Sequence, residues 1–188
     1  MLQNKFTFWR KLPSLLVVLS LLGMTIFTVP PAAAIGELPP GLTRLLDADY
    51  SQWQFEELEE MGDKVYFSYH DGVSNQSLWA TDGTVLGTDE IGPDNNWPDN
   101  ITAVGNLLYY EGYDGAGDYE PWVSDGTTPG TELLKDINSG NDSWPYDFIA
   151  GGGNAYFLAN NGTDGYELYV SNGTEIGTSQ VANWSSGS

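Results

Sequence analysis

The chain repeats itself, and no other feature narrows its folding more. Leu78-Trp79-Ala80-Thr81-Asp82-Gly83-Thr84 returns as Pro121-Trp122-Val123-Ser124-Asp125-Gly126-Thr127 and again as Leu168-Tyr169-Val170-Ser171-Asn172-Gly173-Thr174. The copies lie 43 and then 47 residues apart, from Trp79 to Trp122 to Tyr169. A glycine and an aromatic run precede each copy, at 62–67, 105–110 and 153–158, and Trp97-Pro98 and Trp144-Pro145 stand further upstream. Repetition at such a period means that each copy is one supersecondary unit burying its apolar face against the next.

Each unit reads as four short strands. In the second and third units these are Ile101–Val104 and Phe148–Ala150, Leu107–Glu111 and Ala155–Ala159, Pro121–Ser124 and Leu168–Ser171, then Thr131–Ile137 and Thr178–Val181. β-branched, aliphatic and aromatic residues fill the runs, and Gly, Asn and Asp fill the gaps. Phe55–Met61 is Glu-rich enough for a helical turn, but its place in the repeat predicts a strand. The expected fold is all-β: three tandem four-stranded repeats, at about 54–96, 97–143 and 144–183, as β-propeller-like blades in an open or incomplete array. A closed propeller takes at least about four blades. A stray strand near 42–47 resembles the last strand of a unit with no predecessor, and 183–188 echoes the linker 138–144 and stops. The array therefore reads as a piece of a longer one, or as a short stack that self-associates through its open ends.

Asp82, Gly83 and Thr84, Asp125, Gly126 and Thr127, and Asn172, Gly173 and Thr174 form the turn between the third and fourth strands. Asp and Asn accept hydrogen bonds from backbone N–H groups two residues on, and Gly tolerates positive φ, so these are structural turns. The second glycine of each copy, Gly87, Gly130 or Gly177, is expected to restart a strand.

The first 34 residues are an address. Lys5, Arg10 and Lys11 precede an apolar run from Leu12 to Val29, and Pro30-Pro31-Ala32-Ala33-Ala34 closes it. A positive start, an apolar middle and an Ala-x-Ala end describe a signal peptide cleaved after Ala34, leaving a β-repeat domain at 35–188. An uncleaved anchor would need about 20 apolar residues. The expected location is secreted or cell-surface, or the periplasm.

Charge and cysteine usage exclude several functions. The 188 residues hold 26 Asp or Glu, 6 Lys or Arg and no cysteine, a net charge of −20. Without cysteine there is no thiol catalysis, disulfide scaffold or cysteine-based zinc site. Such an acidic surface repels phosphate, so neither nucleic acid nor anionic membrane is an expected partner.

Trp122-Val123-Ser124-Asp125-Gly126-Thr127 and Leu78-Trp79-Ala80-Thr81-Asp82-Gly83-Thr84 resemble the bacterial ELWxxDGT repeat family, as does Gly130-Thr131-Glu132-Leu133-Leu134-Lys135-Asp136-Ile137. The resemblance covers about residues 42–184. Ser77 stands in place of the family's Glu, Pro121 of its Leu, Tyr169 of its Trp and Asn172 of its Asp, and the segment Asp89-Glu90-Ile91 is shorter than its counterpart. The resemblance implies an exported, propeller-like tandem β-repeat protein, and it implies no catalytic activity.

Candidate chemistry is sparse. His70 adjoins Asp71-Gly72 and reads as a surface turn residue, with no triad order around it. Carboxylate pairs could serve a glycan enzyme, but 26 acids supply such pairs by chance. No cofactor is implied. Calcium is the one metal that the Gly-rich acidic loops suit, with Asp114, Asp118 and Asp142 as candidate ligands, and solvated turns explain the same loops. Trp97, Trp144 and Trp184, with Trp53 as a candidate equivalent, recur at linkers and are expected to pack as repeat core or to present rings to a sugar or protein. Asn75, Asn100, Asn141, Asn161, Asn172 and Asn183 head Asn-x-Ser/Thr sequons, which turn chemistry also explains. The expected function is that of an exported, non-enzymatic module for binding a protein or glycan or for surface architecture. The alternative is a fragment of a secreted propeller enzyme acting on glycans through carboxylates.

Overall fold

The computed structural model describes residues 55–70 and 75–182, so the expected signal peptide, the strand near 42–47, Trp53, Asn183 and Trp184 lie outside the description. The first sheet is the meander β1 (Phe55–Met61), β2 (Lys64–His70), β3 (Gln76–Thr81) and β4 (Thr88–Glu90). The second repeats it with β5 (Asp99–Val104), β6 (Leu107–Tyr113), β7 (Tyr119–Ser124) and β8 (Thr131–Leu133). The third does so with β9 (Tyr146–Gly151), β10 (Asn154–Asn160), β11 (Tyr166–Ser171) and β12 (Ser179–Gln180). All pairings are antiparallel. Among the described residues no helix is long and apolar enough to cross a membrane.

Local chemistry recurs at matching places. The first hairpin of each sheet turns in two residues, with Gly62 at φ 68 and Gly105 at φ 67 at the first central position, as a type II′ turn requires. The third hairpin uses Gly152 and Gly153 at φ 59 and 85, the type I′ pattern. Glu57, Asn100 and Asp147 sit in the left-handed region, at φ 54, 57 and 55, where the first strand of each sheet slips register. These bulges fix the alignment of the units. Trp97 and Trp144 stand three residues before Asn100 and Asp147, and three before Glu57 stands Gln54, so Trp53 is not their counterpart.

The fourth strands are shorter than the expected Thr131–Ile137 and Thr178–Val181. Pairing continues for one further bond, from the N–H of Ile91, Leu134 and Val181 to the carbonyl of Leu78, Pro121 and Leu168, at 2.9, 2.9 and 2.8 Å. In the second unit the chain then leaves the ladder, and the Ile137 N–H goes to Glu120 Oε2 at 2.9 Å.

The core lies between sheets. Met61, Tyr66, Leu78, Ala80 and Ile91 of the first sheet pack with Ile101, Leu108, Tyr110 and Trp122 of the second. Val104, Tyr109, Val123 and Leu134 on the other face of the second pack with Phe148, Ala155, Phe157, Ala159 and Tyr169 of the third. Successive side chains of a strand point to opposite faces. The middle strand β6 is thus apolar at consecutive positions, Leu107 to Tyr110, whereas β10 alternates buried with half-buried residues. β5 runs beside both β1 and β9, and Ala103 N–H donates across that seam to Glu59 Oε1 at 2.9 Å.

Candidate functional site

The Asp-Gly-Thr turns are closed on themselves. Asp125 Oδ1 accepts from the N–H and the hydroxyl of Thr127 at 2.9 and 2.6 Å, and Thr127 Oγ1 accepts from the Gly130 N–H at 3.2 Å. Asp82 and Thr84 repeat the first two bonds at 2.8 and 2.7 Å, and Asn172 and Thr174 at 3.2 and 2.8 Å. The Thr84 hydroxyl and amide hold the Asp82 carboxyl below its ordinary range. A Cβ on Gly87, Gly130 or Gly177 would overlap the side chain of Asp82, Asp125 or Asn172. The fourth strand restarts just after this glycine, at Thr88, Thr131 and Ser179, and the glycine also leaves space for that side chain.

The residue just before the repeated segment, Glu120 in the second unit and Ser77 in the first, ties the linker down. Glu120 is 1% exposed, and its Oε2 accepts from the Ser143 hydroxyl at 2.7 Å as well as from the Ile137 N–H. Burial pushes this carboxyl up to about 7, against the lowering effect of its bonds to Ile137, Ser143 and Asn138. Ser77 does the equivalent work in the first unit, where its hydroxyl accepts from the Asn95 N–H at 3.3 Å.

The anchored linker forms one wall of a cleft of about 470 Å³, lined by Asp118, Asn138, Asn141, Asp142, Trp144 and Asn160. Gly162 also borders it, and a Cβ there would overlap the Asn138 amide. Asp142 Oδ1 accepts from the Tyr119 N–H at 2.8 Å, and the Trp144 N–H donates to the Tyr119 carbonyl at 3.3 Å. The Trp144 indole stacks on the Tyr119 ring, with centroids 4.8 Å apart and planes 14° from parallel. The Tyr113 ring packs on Tyr119 as well, tilted by 59° with centroids 5.6 Å apart. Trp144 is nevertheless 43% exposed, and its backbone is held at φ 45, an unusual conformation for a bulky residue. Trp97 shares that conformation at φ 50, but it is half-buried, its ring 5.6 Å from His70. His70 itself ends β2 and pairs in register with Gln76, which places it in a strand instead of a turn.

Two of the three candidate calcium ligands meet in this cleft. Desolvation, then repulsion from Asp114, Asp142 and Asp136, raises the Asp118 carboxyl. Asp114 is turned onto its own loop, where Oδ1 accepts from the amides of Ala116, Gly117 and Asp118 at 2.7, 3.1 and 3.1 Å. Desolvation opposes its ionised form, but those amides prevail and hold the carboxyl below its ordinary range. Among the described residues no group of three or more His, Cys, Asp or Glu is placed to hold a metal. Calcium takes about six to eight oxygens, and two carboxylates, one of them already bonded to Tyr119, make a poor cage. Of the sequon asparagines, Asn161 and Asn172 use their side-chain oxygens inside turns.

Glu111 is 8% exposed, and burial, then Asp99 and the cleft residue Asp142, push its carboxyl up to about 7. Sequence reading missed Tyr119, Glu111, Glu120 and Asn160. Only Glu120 carried a signal, as the residue just before the repeated segment. Compared with known proteins, the chain matches no family model, no curated protein and no solved structure. Fold and cleft together define a tandem series of four-stranded antiparallel β-sheets with an aromatic, acidic cleft.

Proposed function

We propose that this chain is an exported, non-enzymatic β-repeat module, its sheets arrayed like the blades of a propeller, which binds a glycan at the Trp144 cleft. The observation that carries the reading is the exposed Trp144 indole, stacked on Tyr119 beside Asp118, Asp142 and the amides of Asn138, Asn141 and Asn160. A flat apolar ring stacks on the C–H face of a pyranose, while carboxylates and amides accept from and donate to its hydroxyls. The resemblance to ELWxxDGT repeats and the N-terminal sequence pattern support export. The excess of acids supports a partner that is neither nucleic acid nor an anionic membrane. Tryptophan fluorescence during titration with a panel of neutral and cationic oligosaccharides tests the reading. Saturable quenching that Trp144→Ala abolishes is the expected result, and a panel without any saturable response overturns it.

A glycan enzyme is the second reading. Glu111 favours it, as a largely buried carboxyl held near neutrality beside Asp99 and Asp142, the environment of a general acid. Release of reducing sugar by the wild-type chain, lost in Glu111→Gln, would establish it over the first.

A further inference from the structure

We infer that the outer face of the third sheet, at Tyr156, Val170 and Val181, docks the first sheet of a second copy of this chain, head to tail. The contact needed is already made twice within the molecule. Tyr66, Ala80 and Ile91 of the first sheet lie in the core shared with the second, and Tyr109, Val123 and Leu134, at the matching positions, lie in the core shared with the third. The next positions in the series are Tyr156, Val170 and Val181. Tyr156 and Val170 are half-buried, Val181 is 46% exposed, and among the described residues no fourth sheet follows them. The Tyr156 ring lies over Gly151, 2.9 Å from where a Cβ would stand, and so fills the place of the Met61 and Val104 side chains. The face stays continuous and apolar.

The opposite end offers the complement. Ile101, Leu108, Tyr110 and Trp122 present the second sheet to the first, and the matching residues of the first sheet are Leu58, Val65, Phe67 and Trp79: Leu58 is 56% exposed, Val65 and Trp79 are half-buried, and Phe67 is buried beside the exposed Phe55 ring. The turn glycines show the same asymmetry. Gly126 is buried against Tyr66 and Gly173 lies against Leu107 and Tyr109, each on the preceding sheet, whereas Gly83 is exposed. A contact between unlike faces is heterologous, and it ends in a ring or an open series. The described sheets of two copies number six, within the roughly four to eight of closed propellers. The net charge of −20 opposes association at low ionic strength, and salt relieves that repulsion.

Sedimentation velocity of the purified chain over a concentration series, at low and high salt, tests this. The expected result is a mass that rises with concentration, more strongly in high salt. Val170→Arg and Leu58→Arg should each sediment as monomers, and mixing the two should restore a dimer through the one intact pair of faces. Leu86→Arg and Ile176→Arg change loop residues that are 95% and 99% exposed and should associate as the wild type does. Should Val170→Arg fail to fold by near-ultraviolet circular dichroism, Val181→Lys takes its place. A wild-type chain that stays monomeric throughout, variants that still self-associate, or a mixture that remains monomeric would overturn the inference. None of these outcomes bears on glycan binding.

Discussion

The Asp125 carboxylate occupies the space that a side chain on Gly130 would need. Gly130→Ala should therefore cost about 1–3 kcal/mol, the range for overpacking a filled site. Urea unfolding would measure it. Adding Asp125→Ala should recover part of the loss, because the clash disappears with the carboxylate, and this coupling separates steric exclusion from a simple loss of the turn.

Glu111 and Glu120 are both pushed up to about 7, chiefly by burial. Between about pH 4.5 and about pH 7 the folded chain holds protons that the unfolded chain has released. Their contribution to stability is thus complete at the acid end of that window and is lost as pH rises through the folded values. The melting temperature should fall from about pH 5 to about pH 7.5, and Glu111→Gln, which mimics the protonated acid, should flatten the slope and melt higher than wild type at the upper end. A profile that rises across this window would contradict the assignment.

Trp144 combines exposure with a left-handed backbone, and its value should lie in binding more than in folding. Trp144→Asn gives up a ring stack worth about 0.5–1.5 kcal/mol. Asn tolerates the left-handed conformation that costs bulky residues about 1–2 kcal/mol. The two effects offset each other, so the variant should melt close to wild type while the saccharide-dependent fluorescence change vanishes.

Calcium should leave the melting temperature unchanged relative to a chelator control, since Asp114 is committed to its own loop and Asp142 to the Tyr119 amide. A rise abolished by Asp142→Asn would show that the cleft gathers oxygens beyond those it presents now.

Strand existence was legible because alternation and turn residues act locally: Phe55–Met61 is a strand despite its glutamates. The ends of the fourth strands were not, because a distant carboxylate, Glu120, draws Ile137 away from the ladder. The Asp-Gly-Thr turn could be read from its residue types, yet the purpose of Gly130 could not, since a forbidden Cβ leaves no trace in polarity or periodicity. The cleft was legible only as fragments. Asp118, Asp142 and Trp144 each stood out, but Tyr119 meets them through a loop closure of more than twenty residues that no local pattern announces.

The seam between Tyr66 and Gly126 is made again one sheet later between Tyr109 and Gly173. A gene segment encoding one sheet and its linker, duplicated in frame, would arrive with both of its mating surfaces already shaped. Such a protein can change length in whole repeats through recombination alone, with each new copy free to diverge in its linker, where the exposed tryptophan stands, while the buried seam holds the register.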